Sequence, residues 1–336
     1  KEIAEQKLID IQEQKLSSSH GACWQYEMGN QWHPFPPEGN DQMLQAYLAY
    51  LDDAQGNRWA SIVAGGVERV VDFYVMTQTH ATTQKVRKIR LTTGVPVQWE
   101  STPEELLMQR DDASAFYVEV KDASLLQVIN RLLQSTGHAW DSSTACSHMK
   151  SATVKSVHRI ENYQLWQRYQ ARLRAMREDR AKYNLQSEPA SLDLDGREGV
   201  MTESQNYLDC GEPLSHDVDE KILLHGTSWY NANSIVENGF DHRTCRQGMY
   251  GDGVYFAGAA CKSHQYSCAY KCGFGHTTAC RCERTLIIAR VALGDTYYAS
   301  ETRYGARMAP SRSGAAGTHG SVVVKPGQIA GHHNPI

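Results

Sequence analysis

The chain of 336 residues contains no apolar run approaching the roughly 18–20 residues that a bilayer-spanning helix needs. Its opening stretch, Lys1 to Lys15, is polar and charged, and no apolar core of the kind that marks a secretory signal follows it. A basic excess is missing too: 34 Lys and Arg against 38 Asp and Glu leave a formal net charge of −4. That balance argues against bulk attraction to nucleic acid or to an anionic membrane surface, though a local basic patch stays open. An even cysteine count is also absent. Five of the nine cysteines crowd between Cys261 and Cys282, unlike the pattern of a short secreted disulfide scaffold. Reduced thiols, and hence a nuclear or cytoplasmic protein, are the expectation. A further absence bears on cofactor chemistry: Gly251-x-Gly253 is followed by Phe256 where the third glycine of a dinucleotide-binding turn would stand. The chain starts at Lys1 and not at Met, and it reads as a piece of a longer one.

What is present suits two folded domains, with 41% hydrophobic and 21% charged residues. Residues 1–14 read as a linker or helix fragment. Residues 15–93 form an aromatic-rich segment. Within it Met43, Leu44, Tyr47, Leu48 and Leu51 have helical spacing, and Trp59 to Val63, Arg69 to Met76 and Lys85 to Leu91 are strand-like. Gly65-Gly66 marks a turn between two of them. This pattern predicts one helix on a small bent sheet. Thr92 to Pro96 is the natural boundary. Beyond it, strands are expected at Phe116–Val120 and Val154–Ile160, and helices at Ala123–Gln134 and Asn162–Lys182. Leu165, Trp166, Tyr169 and Leu173 line one face of the longer helix. Residues 186 to 219 read as a long loop. Further strands are expected at Ile222–Leu224, Val254–Ala257, Thr285–Val291 and Ser321–Val324.

Three runs carry chemistry. Leu223-Leu224-His225-Gly226-Thr227 is an apolar strand that delivers a His and then a Gly with no side chain to block a ligand. Gly248 to Ala257 is a glycine-rich bend leading to Tyr255. Lys262-Ser263-His264-Gln265-Tyr266 sets a hydroxyl and a ring on one face of a helix. Together they offer what a flat carboxamide-bearing pyridinium ring needs: two aromatic faces, a hydroxyl donor, and free backbone groups at Gly226.

In this order and spacing, His225-Gly226-Thr227, Tyr255-Phe256-Ala257, Lys262-Ser263 and Tyr266 resemble the catalytic domain of the poly(ADP-ribose) polymerase family. Val157 to Tyr169 is similar to the helix that opens that domain, and Val291 to Asp295 to its later strand and turn. The likeness covers residues 97–336. It implies NAD+ as substrate, cleavage of the nicotinamide–ribose bond through an oxocarbenium-like transition state, and release of nicotinamide. It also implies catalytic roles for His225 and Tyr255. His225 would hold the adenosine-side ribose, and Gly226 backbone groups and the Ser263 hydroxyl would hold the amide. Tyr255 and Tyr266 would enclose the ring, Thr227 and Gly253 would complete the NAD+ site, and Asp241 to Gly253 would form the loop above it. A further strand is expected after Ile336. A glutamate there goes with polymer formation and an apolar residue with single-unit transfer, which the chain's other features favour.

The front segment, through Trp24-Gln25-Tyr26, Trp32, Val71-Asp72-Phe73, Met76, Gln78, Arg87 and Arg90, resembles a WWE domain. That likeness implies a half-open barrel whose pocket binds ADP-ribose units, with Tyr26, Trp32, Gln78 and Arg87 as candidate contacts and Trp24 and Phe73 as core. Cys272, His276, Cys280 and Cys282 suit a zinc knuckle, free thiols being the competing reading; some transferase-family members carry a short zinc loop here. The whole is expected to be an α+β chain: a WWE-like half-barrel, then an ADP-ribosyltransferase fold of packed mixed and antiparallel sheets with flanking helices. Protein acceptors and ADP-ribose or poly(ADP-ribose) chains are the expected partners, with no membrane; nucleic acid is disfavoured. The alternative is a catalytically inactive fold that serves as an ADP-ribose reader.

Overall fold

The computed structural model describes residues 22–29, 31–96, 98–108, 115–135, 152–185, 213–245, 248–267, 283–314 and 316–324. It is an α+β protein whose contacts divide it into two compact units. The first is built on residues up to Val95 with Ser101–Asp112 and Trp166–Ala171, and the second on the remainder.

The front unit holds six strands, β1 (Cys23–Met28), β2 (Gln31–Pro34), β3 (Trp59–Ala64), β4 (Val67–Asp72), β5 (Thr77–His80) and β6 (Val86–Thr92). Helix α1 (Pro37–Asp52) joins β2 to β3. The sheet order is β2-β1-β6-β5-β4-β3, and every neighbouring pair is antiparallel. Pro37 opens the helix where no N–H is needed, and Met43 and Tyr47 turn inward. Tyr47 meets Trp24, which is wholly buried, and Phe73; the Trp24 and Tyr47 rings lie edge to face at 4.9 Å. Trp24 and Phe73 are thus core, as expected.

Two polar side chains of α1 fasten the helix to the sheet. The buried Asn40 accepts from the Trp24 N–H at 2.7 Å and donates to the Ala22 carbonyl at 3.2 Å. Gln42 accepts from the Val63 N–H at 2.9 Å and donates to the Val63 carbonyl at 3.3 Å, along the outer edge of β3. Gly65 and Gly66, at φ +60° and +70°, close the β3–β4 hairpin with a turn whose twist matches the strands.

The strand expected over Arg69–Met76 stops at Asp72. Its Oδ1 accepts from the N–H groups of Tyr74 and Val75, at 3.0 and 3.4 Å, and this side-chain turn outcompetes the ladder. Met76 then takes φ +52°, and β5 starts afresh at Thr77.

In the second unit, β7 (Phe116–Glu119) pairs with β8 (His158–Glu161), and β9 (Glu220–Thr227) with β10 (Thr285–Ala292), both antiparallel. The short strands β11 (Thr296–Tyr298) and β12 (Ser321–Val323) are parallel. Its helices include α3 (Ala123–Ser135), α5 (Trp229–Asn238) and α6 (Ala260–His264); α2 (Pro103–Met108) belongs to the first unit, and α4 (Tyr163–Tyr183) carries residues of both. Asn162 caps α4 by accepting from the Leu165 N–H at 3.0 Å, and its amide donates to the carbonyls of Val236 and Glu237, both at 3.0 Å. One side chain therefore starts one helix and satisfies the end of another. Glu220, with its side chain fully buried, is held by a two-pronged pair with Arg290 at 2.7 and 2.9 Å. The pair fixes β9 against β10 on the strand that carries His225. Residues 1–14, most of the expected loop at 186–219, and the zinc-knuckle candidates Cys272, His276, Cys280 and Cys282 lie outside the described residues.

Candidate NAD+ cleft and ADP-ribose pocket

Strand β9 presents His225, half-buried, near its end. The Nδ1 of His225 lies 2.8 Å from the Tyr255 carbonyl oxygen, which can only accept, so Nδ1 carries a proton. Burial pushes the imidazole below its ordinary pKa, with the carbonyl partly offsetting the effect. In the neutral ring Nε2 is then a hydrogen-bond acceptor. Phe240 and Phe256 pack around the ring at 5.1 and 5.7 Å. Neither phenylalanine is among the site residues expected from the sequence, although Phe256 stands in the motif directly after Tyr255.

The strand expected at Val254–Ala257 is reduced to a single bridge between Leu224 and Ala257, with both N–H to O distances 2.9 Å. The next carbonyl, that of Tyr255, is taken by the His225 side chain in place of a strand neighbour. Strand alternation directs the N–H and C=O of Gly226 the same way as those of Leu224, away from β10. A Cβ at Gly226 would overlap the Ser263 carbonyl oxygen, so only glycine permits this approach of α6 to β9. The Ser263 hydroxyl differs from the expectation of a donor to an incoming amide. It is buried and donates to the Leu224 carbonyl at 3.0 Å, which leaves it acceptor capacity. Thr227 is buried at the end of β9, opposite Thr285.

Tyr255 and Tyr266 are 42% and 59% exposed, large values for aromatic rings beside a core strand. The Tyr255 phenol is raised above its ordinary pKa, mainly by burial, and Tyr266 adds to the shift, which places the two phenols within electrostatic reach. Lys262 sits over the Tyr266 ring at 5.4 Å. Of the glycines above them, Gly248 and Gly251 are required sterically. A Cβ on the first would strike the Tyr255 ring, and on the second, at φ +116°, would lie 2.8 Å from the Ala306 carbonyl oxygen. Gly253 has open space around it, so crowding does not demand glycine there.

In the front unit, register decides which candidates share a face. Gln78 stands opposite Arg87, and opposite Val71 on its other side. Ile89, two residues from Arg87, faces Tyr26, and Tyr26 faces His33. Tyr26, Gln78 and Arg87 therefore line one face. The Arg87 guanidinium lies 5.4 Å from the centre of the Tyr26 ring. Trp32 does not join them. As the neighbour of His33 it points to the opposite face, where Arg90 stacks on it at 4.4 Å. An aromatic signal drew attention to Trp32, whereas strand alternation selects His33. Arg69, two residues before Val71, lies on the same face, as counting by twos along β4 shows. Its pKa is lowered by burial first and by Arg87 as well, so two guanidiniums share this face. Gln78 is 3% exposed, and neither its amide nitrogen nor its oxygen has a partner among the described residues.

Residues 129–333 match the poly(ADP-ribose) polymerase catalytic domain, and residues 22–91 match the WWE domain. The first match spans more than half of the chain, and the chain belongs to this family of NAD+ ADP-ribosyltransferases. WWE domains bind poly(ADP-ribose), and the family's catalytic domains modify protein targets. Cys272, His276, Cys280 and Cys282 lie outside the described residues. Among the described ones, no three His, Cys, Asp or Glu side chains are grouped to hold a metal.

Proposed function

We propose that this chain transfers ADP-ribose from NAD+ to protein side chains as single units, in the nucleus or cytoplasm, while its front pocket reads ADP-ribose. The observation that carries the transferase reading is the arrangement at the end of β9. A neutral His225 is oriented by the Tyr255 carbonyl, next to a glycine whose backbone edge faces away from the sheet partner. His225 Nε2 suits a ribose hydroxyl as donor, and the Gly226 edge suits a carboxamide, which both donates and accepts. Tyr255 and Tyr266 provide ring faces for nicotinamide. Binding energy spent on the ring and ribose orients the bond that breaks, and no metal is needed for that step.

For the front pocket, Gln78, Tyr26, Arg87 and Arg69 form the proposed contact set, with His33 beside them. Two guanidiniums near one another call for an anionic ligand, and a buried amide without partners calls for a polar one. A diphosphate flanked by ribose and adenine meets both demands. Single-unit transfer is favoured by the arrangement of a WWE domain in front of the transferase domain.

The test is incubation of the full-length protein with labelled NAD+, with products resolved on a denaturing gel. A discrete band at the protein's own mass supports single-unit transfer, and a high-mass smear refutes that part. Absence of label together with retained ADP-ribose binding would move the reading to an inactive scaffold. His225→Ala is expected to abolish label without affecting ADP-ribose binding by the front pocket.

A further inference from the structure

Stacking uses the ring of Tyr255, yet its hydroxyl is fully engaged elsewhere. The oxygen accepts the Tyr250 N–H at 2.9 Å, and its proton goes to the Gly251 carbonyl at 2.9 Å. Meanwhile the carbonyl of the same residue receives His225 Nδ1 at 2.8 Å. One residue thus grips both the imidazole and the glycine turn.

From the geometry we infer that the Tyr255 hydroxyl is a positioning group, fixing the turn Gly248–Gly251 in register with His225. The inference rests on the proposed transferase reading and names a part that the reading alone does not. The turn has little regular ladder of its own. Its internal bond runs from the Gly251 N–H to the Gly248 carbonyl at 3.2 Å. From the other side the segment Arg303–Ala306 completes the clamp, with the Asp252 N–H donating to the Ala306 carbonyl at 2.7 Å and the Arg303 N–H to the Met249 carbonyl at 2.9 Å. Buried backbone groups need partners, and here a phenol and a neighbouring loop supply them. A phenol is protonated at neutral pH, and burial moves its titration further upward, so the donated bond to Gly251 persists.

The glycines agree with this role. Gly248 must lack a Cβ for the Tyr255 ring to lie against it, and Gly251 for the Ala306 carbonyl to approach. If the turn is a wall of the NAD+ cleft, its placement decides affinity, because ground-state and transition-state contacts to the same wall are lost together.

The test compares the native full-length protein with Tyr255→Phe, which keeps the ring and removes the oxygen. Amide exchange over residues 248–253 is followed by mass spectrometry, the thermal midpoint serves as a folding control, and NAD+ kinetics are read by nicotinamide release. In the native protein the Tyr250 and Asp252 amides are expected to be protected. In the variant exchange over the turn accelerates, KM for NAD+ rises about tenfold, and kcat stays within about threefold. Unprotected amides in the native protein overturn the inference whatever the variant does. So does a variant with native exchange, or one with fast exchange and an unchanged KM. A native protein that neither binds nor turns over NAD+ sinks the transferase reading itself, a result distinct from any of these.

Discussion

At the scale of single residues, His225 shows how burial and one carbonyl set a group's chemistry. Its folded pKa lies below the ordinary 6.5, so the unfolded chain takes up the proton first as pH falls. The associated stability is full above about pH 6.5 and is lost as pH drops below it. The fall in urea midpoint between about pH 8 and pH 5 should therefore be smaller in His225→Gln than in the native protein. NAD+ binding should follow the same limb, because a protonated Nε2 no longer accepts. Gly226 gives the second prediction. Its alanine variant forces α6 off β9, and overpacking of this kind costs about 1–3 kcal/mol. A lowered thermal midpoint with loss of NAD+ affinity is expected; an unchanged midpoint would show that the approach of Ser263 to Gly226 is not tight.

The elements themselves follow from local chemistry. Asn162 is both the cap of α4 and the donor to the last carbonyls of α5. Asn162→Ala should cost about 2 kcal/mol, one part for the cap and one for the stranded carbonyls. Asn162→Asp keeps the cap and loses the amide, and should fall between the two in a urea titration. Much of this scale was legible in the sequence. Periodicity located α1, α3 and α4, and the apolar run Ile222–Leu224 located β9. Less visible was competition from side chains. Asp72 ended β4 four residues early, and the His225 side chain took the carbonyl that would have extended a strand at Tyr255. Neither event leaves a periodic trace, because each depends on a single hydrogen bond. Trp32 was grouped with Tyr26, Gln78 and Arg87 for a related reason: residue type was read without register, and one step along β2 changes the face.

For the molecule as a whole, the two matched domains are each assigned a proposed site, and each proposal can be tested alone. ADP-ribose affinity should fall about tenfold or more in Gln78→Ala and Arg87→Ala, equivalent to about 1.4 kcal/mol or more. Trp32→Ala, altering the opposite face, should stay within about twofold in the same calorimetric titration. An equal loss in Trp32→Ala would mean that the pocket lies on the other face of the sheet. The order of the domains was legible from motifs, whereas the choice between an active enzyme and a reader depends on chemistry that only turnover reports.

The side chain of Gln42 has a consequence beyond the fastening of α1. A six-stranded sheet with open ends offers its last strand to any other chain in solution, and β3 adds an exposed Trp59 and Val63 to that invitation. At Val63 the amide of Gln42 already occupies the donor and the acceptor that an incoming strand would use. The helix thus closes the sheet near the end of its edge strand, and crowded copies of the protein meet a strand that is partly spoken for.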